Sequence, residues 1–563
     1  MSQSVKPAQG AIRLWLTAGL MLLAALVMIG RAVNLQVMET EFLQSQGEAR
    51  FLREVAIPTV RGNILDRHGE PLAVSTPVDS VWAHPRELLQ AADRIPMLAA
   101  LLETPAEDLE RRLTQRSGRE FVWLQRRIHP ELAERIRELE LPGVFLQREY
   151  RRFYPTGEVS AQVLGFTNID DFGQEGLELA YNNWLQGEPG VKRVIKDRLG
   201  RVVQDVELIR EARPGRDLQL TLDRRLQYMA FRELKTAVVE FGARSGSVVV
   251  MDVTSGELLA MVNYPTYNPN SSTRASEGLR NRALTDVLEP GSVIKPFAIA
   301  AAMEAGVATS DLMVDTSPGH VVVAGHTIRD VRNFGALSVG DLLVRSSNVG
   351  VVDLVLKMDA RHLWGLYSRF GFGSVSGTGF PGESAGVLRD YERWRKLEQA
   401  TLAYGYGLSV TPTQLVRAMA AIADQGRLRQ PTFIINSDTP PHSVLDPRLA
   451  RELASMLEEA TGSAGTGTRA RVAGYRVAGK TGTSRKVDAG GYGDRYVASF
   501  AGFAPVSRPR LAIAVVIQDP GGELYYGGQV AAPVFARVMG SALRLLNVPP
   551  DDFDTLLVQA DHD

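Results

Sequence analysis

From Leu14 to Gly30 the chain reads LWLTAGLMLLAALVMIG without a charge, bounded by Arg13 and Arg31. An apolar run of about 17 residues lies at the short end of what crosses a bilayer as a helix. Flanking arginines extend such a span by laying their stems along it and keeping their charges among the headgroups. A cleaved signal peptide is the rival reading, and it needs small residues at a cut site just past the apolar core. Here the run passes through Ile29-Gly30-Arg31 into a helix-like stretch reaching about Gln46. The expectation is therefore one uncleaved transmembrane anchor over residues 14–34, preceded by a tail of residues 1–13. Charge barely decides its orientation, because Lys6 and Arg13 on one side nearly balance Arg31 and Arg50 on the other. The short leading tail favours a cytoplasmic N-terminus with the rest exported.

Beyond the anchor the 563-residue chain has room for two to four domains. The formal net charge of -1 gives no overall field to attract nucleic acid. The absence of cysteine rules out disulfides, thiolate nucleophiles and Cys-ligated metals together. Any nucleophile must be of another kind.

Residues 35–215 mix short strand-like runs with charged helical ones, such as Ala106–Gln115 and Pro130–Glu140. No catalytic constellation occurs there, so this stretch reads as a spacer or interaction module. Pro214-Gly215 marks a boundary, followed by a short β-like run, Leu218–Leu222, and a helical pattern from Arg224 to Phe241. Ser247–Val253 and Glu257–Val262 are β-rich runs joined by Thr254-Ser255-Gly256, a hairpin signal. Helical spacing covers Ser292–Ala305 and Ser338–Lys357, and Thr411-Pro412 caps a helix to Ala423. Strand candidates follow at Arg476–Thr483, Tyr496–Phe503 and Leu511–Ile517. Their connections are too short for crossover helices, which predicts antiparallel pairing. Val530–Leu546 reads as a closing helix and residues 549–563 as a loose tail. The order implies a mixed α/β (α+β) fold, with one antiparallel sheet built from both ends of residues 216–548 and covered by helices.

Three motifs fall in this region in order. Ser292-Val-Ile-Lys295 is S-x-x-K, Ser346-Ser347-Asn348 is S-x-N, and Lys480-Thr481-Gly482-Thr483 is K-T-G-T. Together they form the signature of active-serine penicillin-recognising enzymes, although Ser347 stands where the common triplet has Asp. Each alone is weak, whereas all three on a helix start, a helix and a strand are specific. Serine is a poor nucleophile until a base takes its proton. At i and i+3 on a helix, Ser292 and Lys295 share a face. Lys295 can act as the base only when neutral, so burial or a neighbouring cation such as Lys480 must lower its pKa. Ser346 is placed to relay a proton and Asn348 to hold a substrate amide. Gly482 permits close approach to the strand. The N–H groups of Ser292 and Thr483 would form an oxyanion hole, where one donor is worth about 3 kcal/mol.

Two other patterns are decoys. Gly474 to Thr481 matches the P-loop, but no helical run follows to cradle phosphate. Gly382-Glu-Ser384-Ala-Gly386 matches G-x-S-x-G, yet Pro381 precedes it and no helix pattern follows at once.

At the three motifs the chain resembles class B penicillin-binding proteins of the division (septal) type. The resemblance extends to Arg61-Gly-Asn-Ile-Leu-Asp66-Arg67-His-Gly69, Arg152-Phe-Tyr-Pro155, Gly165-Phe-Thr, Gly173-Gln-Glu-Gly176-Leu-Glu178, Tyr404-Gly405-Tyr406-Gly407 and Ala501-Gly-Phe-Ala-Pro505, covering residues 10–548. Gln162 departs from the pattern, which carries His there. The resemblance implies a single inner-membrane anchor, a periplasmic pedestal of the dimerisation type over residues 35–215, and a C-terminal transpeptidase over residues 216–548. It implies acyl transfer, in which Ser292 attacks the D-Ala-D-Ala amide of a peptidoglycan stem peptide and a second stem's amine resolves the acyl-enzyme. Lys480, Thr481 and Thr483 are implied to bind the carboxylate, and Arg485, Tyr496, Tyr525 and Tyr526 to line the site. For Tyr525-Tyr526 the plain alternative is turn packing. No cofactor or metal is implied. The implied partners are lipid-linked precursor strands, a separate membrane glycan polymerase, other division proteins and β-lactams. Two alternatives stand beside this: a hydrolase (a D,D-carboxypeptidase or β-lactamase), and a non-catalytic scaffold or β-lactam sensor. The first lacks an evident water-activating Glu motif. The second predicts an eroded motif or several membrane spans, and the sequence shows neither.

Overall fold

The computed structural model describes residues 7–38, 52–196, 202–271, 273, 276–437, 439–488 and 491–552. Pro7–Val33 is a continuous α-helix that loosens into a π turn at Asn34–Met38. Its segment Ile12–Gln36 has a mean hydropathy of 2.1, none of it buried in the rest of the chain, and is long and apolar enough to cross a membrane. The expected continuation to Gln46 and most of the C-terminal tail lie outside the described residues.

The folded part divides into two compact units that do not follow a single cut near residue 215. One contains residues 1–59, 77–150 and 187–214, and the other residues 60–76, 151–186 and 215–563. Two segments of the 35–215 stretch, residues 60–76 and 151–186, fold with the unit that holds the three motifs. Backbone pairing gives the reason. Ile64–Leu65 runs parallel to Leu218–Gln219 and antiparallel to residues 71–73. A buried ion network ties the same segments together. Glu178 receives Arg61 Nε at 2.7 Å and Arg152 Nε at 2.6 Å, all three side chains being at most 1% exposed. Arg61 also donates to Asn182 Oδ1, and Arg152 to the Gly62 carbonyl.

The first unit packs the helices Ala106–Gln115 and Pro130–Glu138 around Val81, Leu98, Leu109, Leu113 and Ile136. It also contains a three-stranded antiparallel sheet of Leu52–Ile57, Gly190–Lys196 and Val202–Arg210.

The second unit is built on a five-stranded sheet of β1 (Ser245–Asp252), β2 (Leu258–Tyr264), β3 (Ala478–Asp488), β4 (Gly491–Ala504) and β5 (Leu511–Gln518). The order is β2-β1-β5-β4-β3 and every pairing is antiparallel, as the short connections predict. Side chains alternate between the faces. Val248, Val250, Ile513 and Val515 face α1 (Arg224–Glu240) and the closing helix Gly527–Leu545. Val249, Met251, Ala512 and Ala514 join the core of the opposite face, with helices α2 (Lys295–Glu304) and Pro412–Ala423. Each fully buried Val or Met contributes about 1.5–3 kcal/mol. At Pro412–Ala423 the capping box is complete, Thr411 and Gln414 each receiving the other's backbone N–H. The P-loop decoy ends on β3 with no helix after it, and Gly382–Gly386 is a loop.

Gln162 is 4% exposed and bridges two carbonyls, Pro265 O at 3.0 Å and Gly278 O at 2.9 Å, while accepting the Thr266 hydroxyl. An amide offers two N–H donors where a neutral imidazole offers one. This departure from the family pattern is thus fully satisfied.

Candidate active site

Ser292 lies in a 3-10 turn, Gly291–Ile294, that leads directly into α2. The expected single helix from Ser292 is therefore a 3-10 turn followed by an α-helix from Lys295. This places Pro296 in the first α-helical turn, where its missing N–H has no partner to lose. The turn is clamped from two sides: Gly291 N–H donates to the Gly405 carbonyl, and Ser484 Oγ donates to the Glu289 carbonyl. At Gly405, with φ +93°, a Cβ would fall 2.1 Å from Gly291 O, so the contact requires glycine.

The second motif corrects a sequence expectation. Ser338–Lys357 is not one helix but two, Val339–Val344 and α3 (Asn348–Leu356). The break is Ser346, held at φ +57°. The apolar period continues through the break and hides it. Ser347 is the N-cap of α3, accepting from Gly350 N–H at 3.0 Å. Its hydroxyl donates to Asp330 at 2.6 Å, and Asp330 Oδ1 also receives the Asn348 and Val349 N–H groups at 2.5 and 3.1 Å. Ser347 is buried and absent from the wall of the cleft. The carboxylate missing from the triplet is supplied from elsewhere in the chain by Asp330, at the positive end of α3. Sequence reasoning missed Asp330 because nothing local marks it.

Both motif lysines are fully buried, at 0% exposure. Lys295 Nζ donates to Ser346 O at 2.5 Å, Asn348 Oδ1 at 2.8 Å and Ser346 Oγ at 3.2 Å. Lys480 Nζ donates to Ser346 Oγ at 3.1 Å. Ser346 Oγ thus lies between two ammonium-bearing side chains. Burial and the Lys480 charge push Lys295 well below its ordinary value, with Asp330 opposing. Burial lowers Lys480 to about 7. Ser292 and Lys295, expected to share a face, are not hydrogen-bonded to each other, Lys295 being taken up by the S-x-N oxygens. The Ser292 hydroxyl has no hydrogen-bond partner among the described residues and opens to a cleft of about 830 Å³.

The edge strand β3 forms the other wall. An edge leaves a row of backbone groups free, to which an extended peptide can add as a strand. Gly482 closes this strand onto the serine turn, since a Cβ there would lie 2.5 Å from Ser499 Oγ and 2.7 Å from Val293 Cγ2. This close packing also requires glycine at that position. Thr483 Oγ1 accepts the Gly527 N–H at 2.9 Å, which leaves the hydroxyl proton for a ligand. Thr481 Oγ1 pairs with Thr466 Oγ1 at 2.8 Å.

Arg485 lies over the Tyr496 ring at 5.6 Å, and Tyr496, Tyr525 and Tyr526 form one stack with centroid spacings of 4.1 and 4.5 Å. Arg485 lines the Ser292 cleft, whereas the three stacked tyrosines are absent from its wall. The aromatic wall is instead Tyr404, Tyr406 and Tyr492. The Tyr404–Gly407 run stands out in the sequence as a motif, but its place at the cleft appears only in the fold. Behind it, Glu289 accepts from Gly407 N–H at 2.8 Å and Tyr492 OH at 3.1 Å, and its burial raises the carboxyl pKa.

An unengaged serine, two buried lysines sharing one hydroxyl, and a free strand edge define an active-serine acyl-transfer enzyme. Comparison with known proteins narrows the class. The family described as the penicillin-binding protein transpeptidase domain matches residues 246–540, and the penicillin-binding protein dimerisation domain matches residues 56–220. The chain is 42% identical over 552 residues to the peptidoglycan D,D-transpeptidase FtsI of Escherichia coli (strain K12), covering 96% of this chain and 93% of that protein. It is 41% identical over 554 residues to the probable peptidoglycan D,D-transpeptidase PbpC of Pseudomonas aeruginosa, covering 98% of each. The structure of penicillin-binding protein 3 from Mycobacterium tuberculosis, complexed with aztreonam, superposes with a TM-score of 0.68 at 27% identity, covering 88% of this chain and 98% of that one. The chain belongs to the penicillin-binding protein transpeptidase family.

Proposed function

We propose that the protein is a peptidoglycan D,D-transpeptidase of the septal, class B type, blocked covalently by β-lactams. The observation that carries this reading is that Ser292 and Asn348 share the wall of one cleft beside a free strand edge, with Lys295, Ser346 and Lys480 joined to Asn348 in one buried hydrogen-bonded cluster. A donor stem ending in acyl-D-Ala-D-Ala adds along β3. Its terminal carboxylate meets the Thr481 and Thr483 hydroxyls and the Lys480 charge, and its amide meets Asn348. Neutral Lys295 has only two N–H groups for three oxygens, and its lone pair takes the Ser292 proton as Oγ attacks the carbonyl. The main-chain N–H groups of Ser292 and Thr483 stabilise the oxyanion. Ser346, between the two lysines, passes a proton to the departing D-Ala nitrogen. An amine from a second stem then attacks the ester, the same groups acting in reverse.

The catalytic unit works on the outer face of the cytoplasmic membrane, where cross-linkable strands lie, with the Pro7–Val33 helix as its single anchor. Residues 35–215 act as a pedestal and 216–548 as the transpeptidase. The pedestal does not resemble a glycosyltransferase, which supports dependence on a separate membrane glycan polymerase and other division proteins.

The test is intact mass after incubating the detergent-solubilised full chain with a fluorescent penicillin. A persistent adduct on Ser292, absent in a folded Ser292→Ala variant, is the expected result. No adduct from a folded sample would move the protein to a scaffold role, and turnover without accumulation would make it a β-lactamase.

A further inference from the structure

The strand His326–Arg329 places Thr327, Ile328 and Arg329 on the wall of the Ser292 cleft. Arg329 is fixed there by its own backbone, because its carbonyl accepts the Asn348 Nδ2 proton at 2.9 Å. The next residue, Asp330, turns its carboxylate the other way, into the N-terminus of α3. The Arg329 guanidinium is exposed and has no carboxylate partner among the described residues. Arg485, also on the cleft wall, has no ion-pair partner among the described residues and rests on the Tyr496 ring. Among the described residues no acidic side chain lines the cleft. A concave site lined by one sign of charge concentrates ligands of the opposite sign. The Lys480–Thr483 end already serves one carboxylate, the terminal one, so the charge at Arg329 is surplus to that need.

We infer that Arg329 is a specificity residue that binds a second carboxylate, carried by the donor peptide on the amino side of its acyl-D-Ala-D-Ala end. This rests on the transpeptidase reading and deepens it: the enzyme selects donors with a free acidic group upstream of the scissile bond. The link to Asn348 couples the two contacts. The residue holding the donor amide is bonded to the backbone of the residue reading the upstream charge.

The experiment measures D-Ala release by the full chain from two synthetic donors, identical except for a glutamyl carboxylate or its carboxamide upstream of D-Ala-D-Ala. The ratio of their kcat/KM values is internal to each enzyme preparation, so partial misfolding cancels. A charge-assisted hydrogen bond of about 1.5 kcal/mol predicts a preference of about tenfold for the carboxylate donor. Arg329→Gln should bring the ratio to about one, Arg329→Lys should retain part of it, and Arg329→Glu should invert it. A wild-type ratio near one overturns the inference. So does a preference that survives Arg329→Gln, or one abolished by Arg485→Gln alone. Loss of both D-Ala release and penicillin adduct in the wild-type protein would instead sink the transpeptidase reading.

Discussion

The Ser347 hydroxyl donates to the Asp330 carboxylate at 2.6 Å, so the acid that the S-x-N triplet lacks comes from a separate loop. The same carboxylate receives the N–H groups that open α3, and its charge opposes the lowering of the Lys295 pKa. Asp330 touches no reacting atom in the proposed mechanism and acts by positioning Asn348 and biasing Lys295. Asp330→Asn keeps the shape and removes the charge. It should slow penicillin acylation by about ten- to a hundredfold, the loss of one charged hydrogen bond. It should also shift the acid limb of the rate–pH profile downward, because Lys295 then loses its proton more readily. An unshifted limb would leave Asp330 a purely structural cap.

Glu178 pairs with both Arg61 and Arg152, all three side chains being at most 1% exposed. Removing it strands two buried guanidinium groups, a change that costs about 3–5 kcal/mol. Glu178→Ala should therefore unfold at markedly lower denaturant concentration. Replacing the whole trio with Leu and Met should recover most of that loss. Equilibrium unfolding followed by tryptophan fluorescence measures both.

At Gly482 a Cβ would meet Ser499 Oγ, Val293 Cγ2 and the Pro290 carbonyl; the Ser499 hydroxyl can rotate aside, but the Pro290 backbone yields only by moving the serine turn. Gly482→Ala should keep the fold while displacing Ser292 relative to β3. A displacement near 1 Å costs about a hundredfold in rate. Stopped-flow acylation compared with thermal melting separates the two effects, and a near-normal rate would show that the strand accommodates the methyl group.

Much of the site was legible because its chemistry depends on residue types at short spacings. Ser292 and Lys295 are one turn apart, and Lys480 to Thr483 follow one another on a strand. The sheet was legible for the same reason, since short connections between β3, β4 and β5 allow only antiparallel pairing. What escaped is non-local or conformational. Arg329 reaches the cleft, and Asp330 the start of α3, through a hairpin tied to Asn348. The left-handed Ser346 sits inside an unbroken apolar period, so helical spacing alone overran it. The interleaving of residues 60–76 and 151–186 with the catalytic unit depends on Arg61, Glu178 and Arg152, which meet only after folding.

Lys295 and Lys480 compete for protons inside one buried cluster, and this predicts a bell-shaped pH dependence. Lys295 must be neutral to accept the Ser292 proton, and lowering the pH protonates it, so the rate falls on the acid side. Lys480 must be charged to hold the carboxylate, and raising the pH through about 7 discharges it, so the rate falls on the alkaline side. An arginine stays protonated throughout this range. Lys480→Arg should therefore lower the maximum rate, because the guanidinium is larger than the ammonium it replaces. It should also remove the alkaline limb below pH 9. Second-order acylation rates from pH 5 to 10 with a carboxylate-bearing penicillin provide the measurement. An alkaline limb unchanged in Lys480→Arg would assign that titration to another group, with Tyr404, raised to about 12 by burial, lying too high to supply it.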